Sequence, residues 1–136
     1  MNIRGWTQTC DFTSKELGTV SLEEAAEAIR SFPWEQEFQA FADRLLGKED
    51  ACPPGIGFNS PDDSFMFHLA AFEKDEWELT LSLPRPRSDK FLGIFRKRDY
   101  ELNIPIHSVD ESLGLLKLFF EGNVDQLLTE AKNRSS

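Results

Sequence analysis

The amino-acid sequence predicts a single α+β domain over residues 1–136, an antiparallel β-meander packed against N-terminal and C-terminal helices. The prediction rests on a change of period along the chain. Apolar residues recur at helical spacing between residues 22 and 46, at every second position in the middle, and at helical spacing again from residue 109. A chain of this length buries enough of its surface to fold without a disulfide or a metal.

The first helix is announced by Ser21 and Glu24, a capping-box pair in which each side chain satisfies the other residue's free backbone N–H. Leu22, Ala25, Ala26 and Ile29 then form its inner stripe. Pro33 lacks a backbone donor and belongs in the first turn of a second helix, which runs to about Leu46. In the segment "SFPWEQEF" and beyond it, Trp34, Phe38, Phe41 and Leu45 share one stripe and are expected to be buried together. Glu35 and Glu37 lie off that stripe, where the helix macrodipole favours acids.

Residues 47–63, "GKEDACPPGIGFNSPDD", are rich in turn-forming residues and read as a loop with one short strand at Ile56 to Phe58. Asp62 and Asp63 fall in a turn after Pro61, and neither Gly55 nor Gly57 belongs to a phosphate-binding motif. Phe65, Phe67 and Leu69, then Trp77, Leu79, Leu81 and Leu83, alternate as two strands around the turn "EKDE", with Glu78, Thr80 and Ser82 facing outward. "KFLGIFR" and "YELNIPIH" make a further pair around "KRD". Leu102, Ile104 and Ile106 face inward there, and Pro105 argues for an edge strand or a bulge. Ser108 and Glu111 form a second capping box before a helix with the stripe Val109, Leu113, Leu116 and Phe120, ended by a left-handed Gly122. "VDQLLTEAK" closes the fold as a short helix and "NRSS" is a loose tail.

The net charge of −9 disfavours direct binding to nucleic acid or to an anionic membrane, both of which need clustered cations, and favours a basic partner. The acids are unevenly spread. Residues 1–50 hold ten acids against five bases and residues 51–84 six against one, whereas residues 85–107 hold six bases against three acids. The N-terminus lacks an apolar export signal and no apolar run is long enough to span a bilayer, so a cytoplasmic protein is expected.

Catalytic equipment is not evident. Cys10 and Cys52 are far apart, and His68 and His107 lie on separate strands without metal-ligand spacing, so two free thiols and no metal or cofactor are expected. His107 could meet Glu101, Asn103 or Thr80 on a polar sheet face, the one arrangement open to acid–base work, although a surface histidine among polar neighbours needs no such role. No nucleophile elbow accompanies any serine, so no residue is assigned as catalytic.

In layout, "SFPWEQEF" near the end of the helical start, the hairpin "FMFHLAAFEKDEWELTLSL" and the late "LLKLFFEGN" resemble the immunity proteins of bacterial polymorphic and contact-dependent toxin systems. The resemblance implies a cytosolic, non-enzymatic protein that binds a cognate toxin domain, often a basic nuclease, and covers its active or substrate-binding surface. Acidic side chains would stand in for nucleic-acid phosphates. The exposed acids expected to face such a partner are Glu35, Glu37, Asp62, Asp63, Asp75, Glu76 and Glu78. Two alternatives are an acidic secretion chaperone, which would dimerise and hold an effector in an apolar groove, and a small enzyme working around His107.

Overall fold

The computed structural model describes residues 2–83 and 100–135. Two strands open the chain where the sequence had promised helices first: β1 (Ile3–Gln8) and β2 (Ser14–Val20) form an antiparallel hairpin. Their alternation is faint for physical reasons. β2 is an outer strand with most of its residues exposed, and β1 carries Arg4, Gly5, Thr7 and Gln8 between its few apolar side chains. The register of this pair shifts at Gly5/Trp6, and Gly18 takes a left-handed φ of 78°.

α1 (Leu22–Ser31) begins as expected, with both hydrogen bonds of the Ser21–Glu24 capping box formed. It buries Ala25 and Ile29. α2 (Trp34–Leu46) follows Pro33, but its expected stripe is only partly buried. Phe41 is buried, Trp34 and Phe38 are half-buried, and Leu45 and Leu46 are 52% and 82% exposed. The helix leans on the end of the sheet at β4 (Met66–Glu73), so its last turn has nothing beneath it.

β3 (Gly55–Asn59) emerges from the loop and pairs with β1 on the side away from β2. β4, β5 (Glu76–Leu83) and β6 (Tyr100–Ile106) follow in turn, completing an all-antiparallel sheet of order β2-β1-β3-β4-β5-β6. Pro105 sits on β6, the outer strand at that side among the described residues. The expected strand "KFLGIFR" and its turn "KRD" lie outside the described residues.

α3 (Val109–Glu121) and α4 (Val124–Ser135) complete the fold. α3 buries Ser112, Leu115, Leu116 and Phe119, a face turned by about one residue from the expected Val109, Leu113, Leu116 and Phe120. The rotation is tolerated because Ser112 Oγ donates to its own helix at Val109 O, 2.6 Å away. Only half of the second capping box forms. Ser108 Oγ accepts from Glu111 N, while Glu111 Oε1 accepts from His107 N. Gly122, at φ 70°, ends α3 in the left-handed conformation. α4 continues through the expected tail to Ser135, held where Arg134 Nη1 meets Glu111 Oε2 at 2.6 Å.

One core joins these elements. Ile56, Phe58, Phe67, Leu69, Leu79, Leu81, Leu83, Ile104 and Ile106 alternate along the strands and cluster with Ala25, Ile29, Leu116, Phe119 and Ala131 of the helices. Each fully buried Phe or Leu contributes roughly 1.5–3 kcal/mol by leaving water. The helices therefore cover one face of the sheet. The register sets Trp6, Gly57, His68, Thr80 and Asn103 in a row across the opposite face. Among the described residues no helix is long and apolar enough to cross a membrane.

Candidate functional site

β4 and β5 turn back on each other through Lys74 and Asp75, the latter at φ 60°, a left-handed conformation that aspartate accepts more readily than most residues. The turn lies beside the start of α2. Between them is a cleft of about 430 Å³, to which α2 contributes Trp34, Glu35, Phe38 and Gln39, β4 contributes Ala71 and Glu73, the turn Lys74 and Asp75, and β5 Trp77. Its apolar lining is ordered by aromatic contacts. Trp34 and Trp77 meet edge to face at 5.9 Å, and Trp34 Nε1 donates to Ile29 O at 2.9 Å, fixing its ring to the end of α1. Trp77 Nε1 is buried and has no acceptor among the described residues.

Two of the seven acids singled out from sequence, Glu35 and Asp75, line this cleft from opposite elements. Glu76 and Glu78 line an adjoining groove of about 330 Å³ on the other side of Trp77, with Phe72, Asn103, Pro105 and His107. The structure thus sets His107 in one groove with Asn103 and three carboxylates, Glu73, Glu76 and Glu78, while the expected Glu101 is not part of its lining. Thr80 Oγ1 donates to Asn103 Oδ1 at 2.9 Å, so that amide is engaged by its own sheet. Glu37 is half-buried on α2 and its charge acts on Cys10, whose thiol is pushed up first by burial, against the lowering influence of Arg44.

Asp62 and Asp63 lie elsewhere again. Asp62 Oδ1 accepts from Ser64 Oγ, Ser60 Oγ and Ser64 N at 2.8, 2.8 and 3.1 Å, and these bonds hold its carboxyl down at about 2. Through Oδ1 it closes the loop between β3 and β4. Asp63, at φ 59°, joins Arg4, Trp6, Gln8, Ser14, Glu16 and Asn59 around a shallow depression of about 400 Å³. The seven acids therefore occupy several separate places, and the cleft gathers two of them.

Sequence reading missed Glu73 as a site residue and assigned Trp34 and Phe38 wholly to the core. The signal available was the compositional pairing of two amphipathic segments, "PWEQEF" and "FEKDEW", each with aromatics next to acids. Among the described residues no group of three or more His, Cys, Asp or Glu side chains is arranged to hold a metal ion.

Two features of the helix-free sheet face also stand out. The Trp6 indole lies directly over Gly57, with Trp6 Nε1 donating to Asn59 Oδ1 at 2.6 Å and its ring 5.0 Å from that of His68. His68 is largely buried, Nε2 has no partner among the described residues, and desolvation lowers its pKa. Compared with known proteins, the chain matches no family model, no curated protein and no solved structure.

Proposed function

We propose that this chain is a non-enzymatic, cytoplasmic binding protein that neutralises a basic partner, as an immunity protein neutralises its cognate toxin, and that the cleft between α2 and the β4–β5 hairpin is the centre of its binding surface. The observation that carries this reading is the cleft itself. Aromatic side chains from two elements stand half-buried in a concavity rimmed by Glu35, Glu73 and Asp75. Rigid aromatic anchors surrounded by charge are the usual makeup of an interface centre, and the net charge of −9 would speed encounter with a cationic surface. Glu76 and Glu78 carry further acidic charge on the same hairpin around the adjoining groove, whereas three hydrogen bonds tie Asp62 Oδ1 to its own loop.

The test pairs the chain with a toxin domain encoded by a neighbouring gene. Co-expression should restore growth, and association rates measured at low and high salt should fall when Glu35, Glu73 and Asp75 are neutralised together as Glu35→Gln, Glu73→Gln and Asp75→Asn. Neutralising Asp62 and Asp63 should change those rates little. Unchanged association and protection in the cleft variant would overturn the proposal.

A further inference from the structure

The cleft's lining narrows what can fill it, and the following inference rests on the binding role proposed above. We infer that the cleft receives one arginine side chain of the partner protein, its guanidinium against the indoles and between the carboxylates of Glu35 and Asp75.

Three properties select this occupant. The volume of about 430 Å³ lies within the range of sites that enclose a small ligand, room for a long side chain with its flanking peptide groups. The lining carries three carboxylates, Glu35, Glu73 and Asp75, against one ammonium, Lys74, so it favours a cation. Its apolar part is aromatic, and Trp is the strongest partner for a cation held over a ring face.

Arginine fits these terms better than lysine. A guanidinium is planar, weakly hydrated and forked, so it can stack on an indole while donating in-plane hydrogen bonds to carboxylates on different sides; an ammonium keeps its water and has no face to stack.

The probe is N-acetyl-arginine-N-methylamide, which carries both the guanidinium and peptide carbonyls, titrated into the full chain while the three indole N–H signals are followed by NMR. Saturable shifts are expected at Trp34 and Trp77 and not at Trp6. The neutral isostere N-acetyl-citrulline-N-methylamide and the lysine analogue should each bind at least about tenfold more weakly. A Glu35→Gln/Asp75→Asn variant should lose binding to a similar degree. Asn tolerates the left-handed turn at position 75, and a dispersed spectrum would confirm that the variant is folded.

Absence of saturable shifts, equal shifts at Trp6, or equal affinity for the citrulline or lysine analogue would overturn the inference. No toxin enters this measurement, so its failure is distinct from failure of the binding role. If cleft variants abolish toxin neutralisation but the arginine probe does not bind, the binding role stands and the arginine assignment falls; if the probe binds and cleft variants still neutralise the toxin, the cleft is not the toxin-binding surface and the assignment of a partner's arginine to it falls as well.

Discussion

Gly57→Ala should be among the most damaging single-methyl additions in this protein. A Cβ at position 57 would lie 2.2 Å from Cζ2, 2.4 Å from Cε2 and 2.8 Å from Cη2 of Trp6, all inside the distance that real Cβ atoms observe. Gly57 has no positive φ, so alanine suffers no backbone penalty and the clash is isolated. To relieve it the indole must leave the strand, giving up the 2.6 Å hydrogen bond to Asn59 and its contact with His68. Overpacking costs roughly 1–3 kcal/mol and a hydrogen bond roughly 0.5–1.5 kcal/mol, so a loss of about 2–4 kcal/mol is expected. Urea unfolding of the parent, Gly57→Ala, Trp6→Ala and the double variant measures it. With the indole already gone, the alanine should cost less than about 1 kcal/mol, leaving a coupling of at least about 1 kcal/mol between the two sites. Additive effects, or a single-variant loss below about 0.5 kcal/mol, would refute the reasoning.

Along α2, Phe41→Ala should cost about 3–5 kcal/mol by emptying a packed position, whereas Leu46→Ser should stay within about 0.5 kcal/mol because that side chain is 82% exposed; equal losses in denaturant unfolding would show that the helix is seated differently. Asp62 has a folded pKa of about 2 against an ordinary 3.8, so its contribution is complete above 3.8 and lost as the pH falls through about 2. An NMR titration of its carboxyl and of the Ser64 amide should share that low midpoint, and a midpoint near 3.8 would mean the serines do not hold it. His68 has a folded pKa below its ordinary 6.5, so the unfolded chain takes the proton first and stability falls as the pH drops below 6.5, levelling off below the folded value. His68→Phe should flatten that slope, and an NMR midpoint for His68 at or above 6.5 would contradict the assignment.

How much of this was legible in the sequence depended on how local each cause was. The capping box at Ser21 and Glu24 and the left-handed Gly122 act within one turn, and both are found as read. The strands β4, β5 and β6 declared themselves because one face of each is buried. β1 and β2 did not, since an outer strand needs no apolar alternation. Periodicity also names a helix face without saying what covers it. In α2 Phe41 is covered but Leu45 is not. In α3 two sets at the same spacing competed, and a serine able to bond its own backbone took the inner one. The cleft was legible only in fragments. Glu35 and Asp75 were visible as exposed acids, but Trp34 and Trp77 are 43 positions apart and their meeting is a property of the packed chain.

The two rims of the sheet constrain how any neighbour can attach. Among the described residues one rim is β6, where Pro105 offers no N–H, and the other is β2, which carries Lys15 and Glu16 and is kinked by the shift at Gly5/Trp6 and the left-handed Gly18. Among the described residues each rim is thus interrupted as a template that another chain could zip onto. For the binding role proposed above, this favours recognition by side chains, and those around the cleft are largely outside the set that keeps the core closed. Glu35, Glu73 and Lys74 can be exchanged without repacking the core, whereas position 75, at φ 60°, is limited to residues that tolerate the left-handed conformation. Under the binding role proposed above, a lineage carrying this fold could change allegiance from one partner to another by a few surface substitutions at positions 35, 73 and 74, each close to neutral for folding.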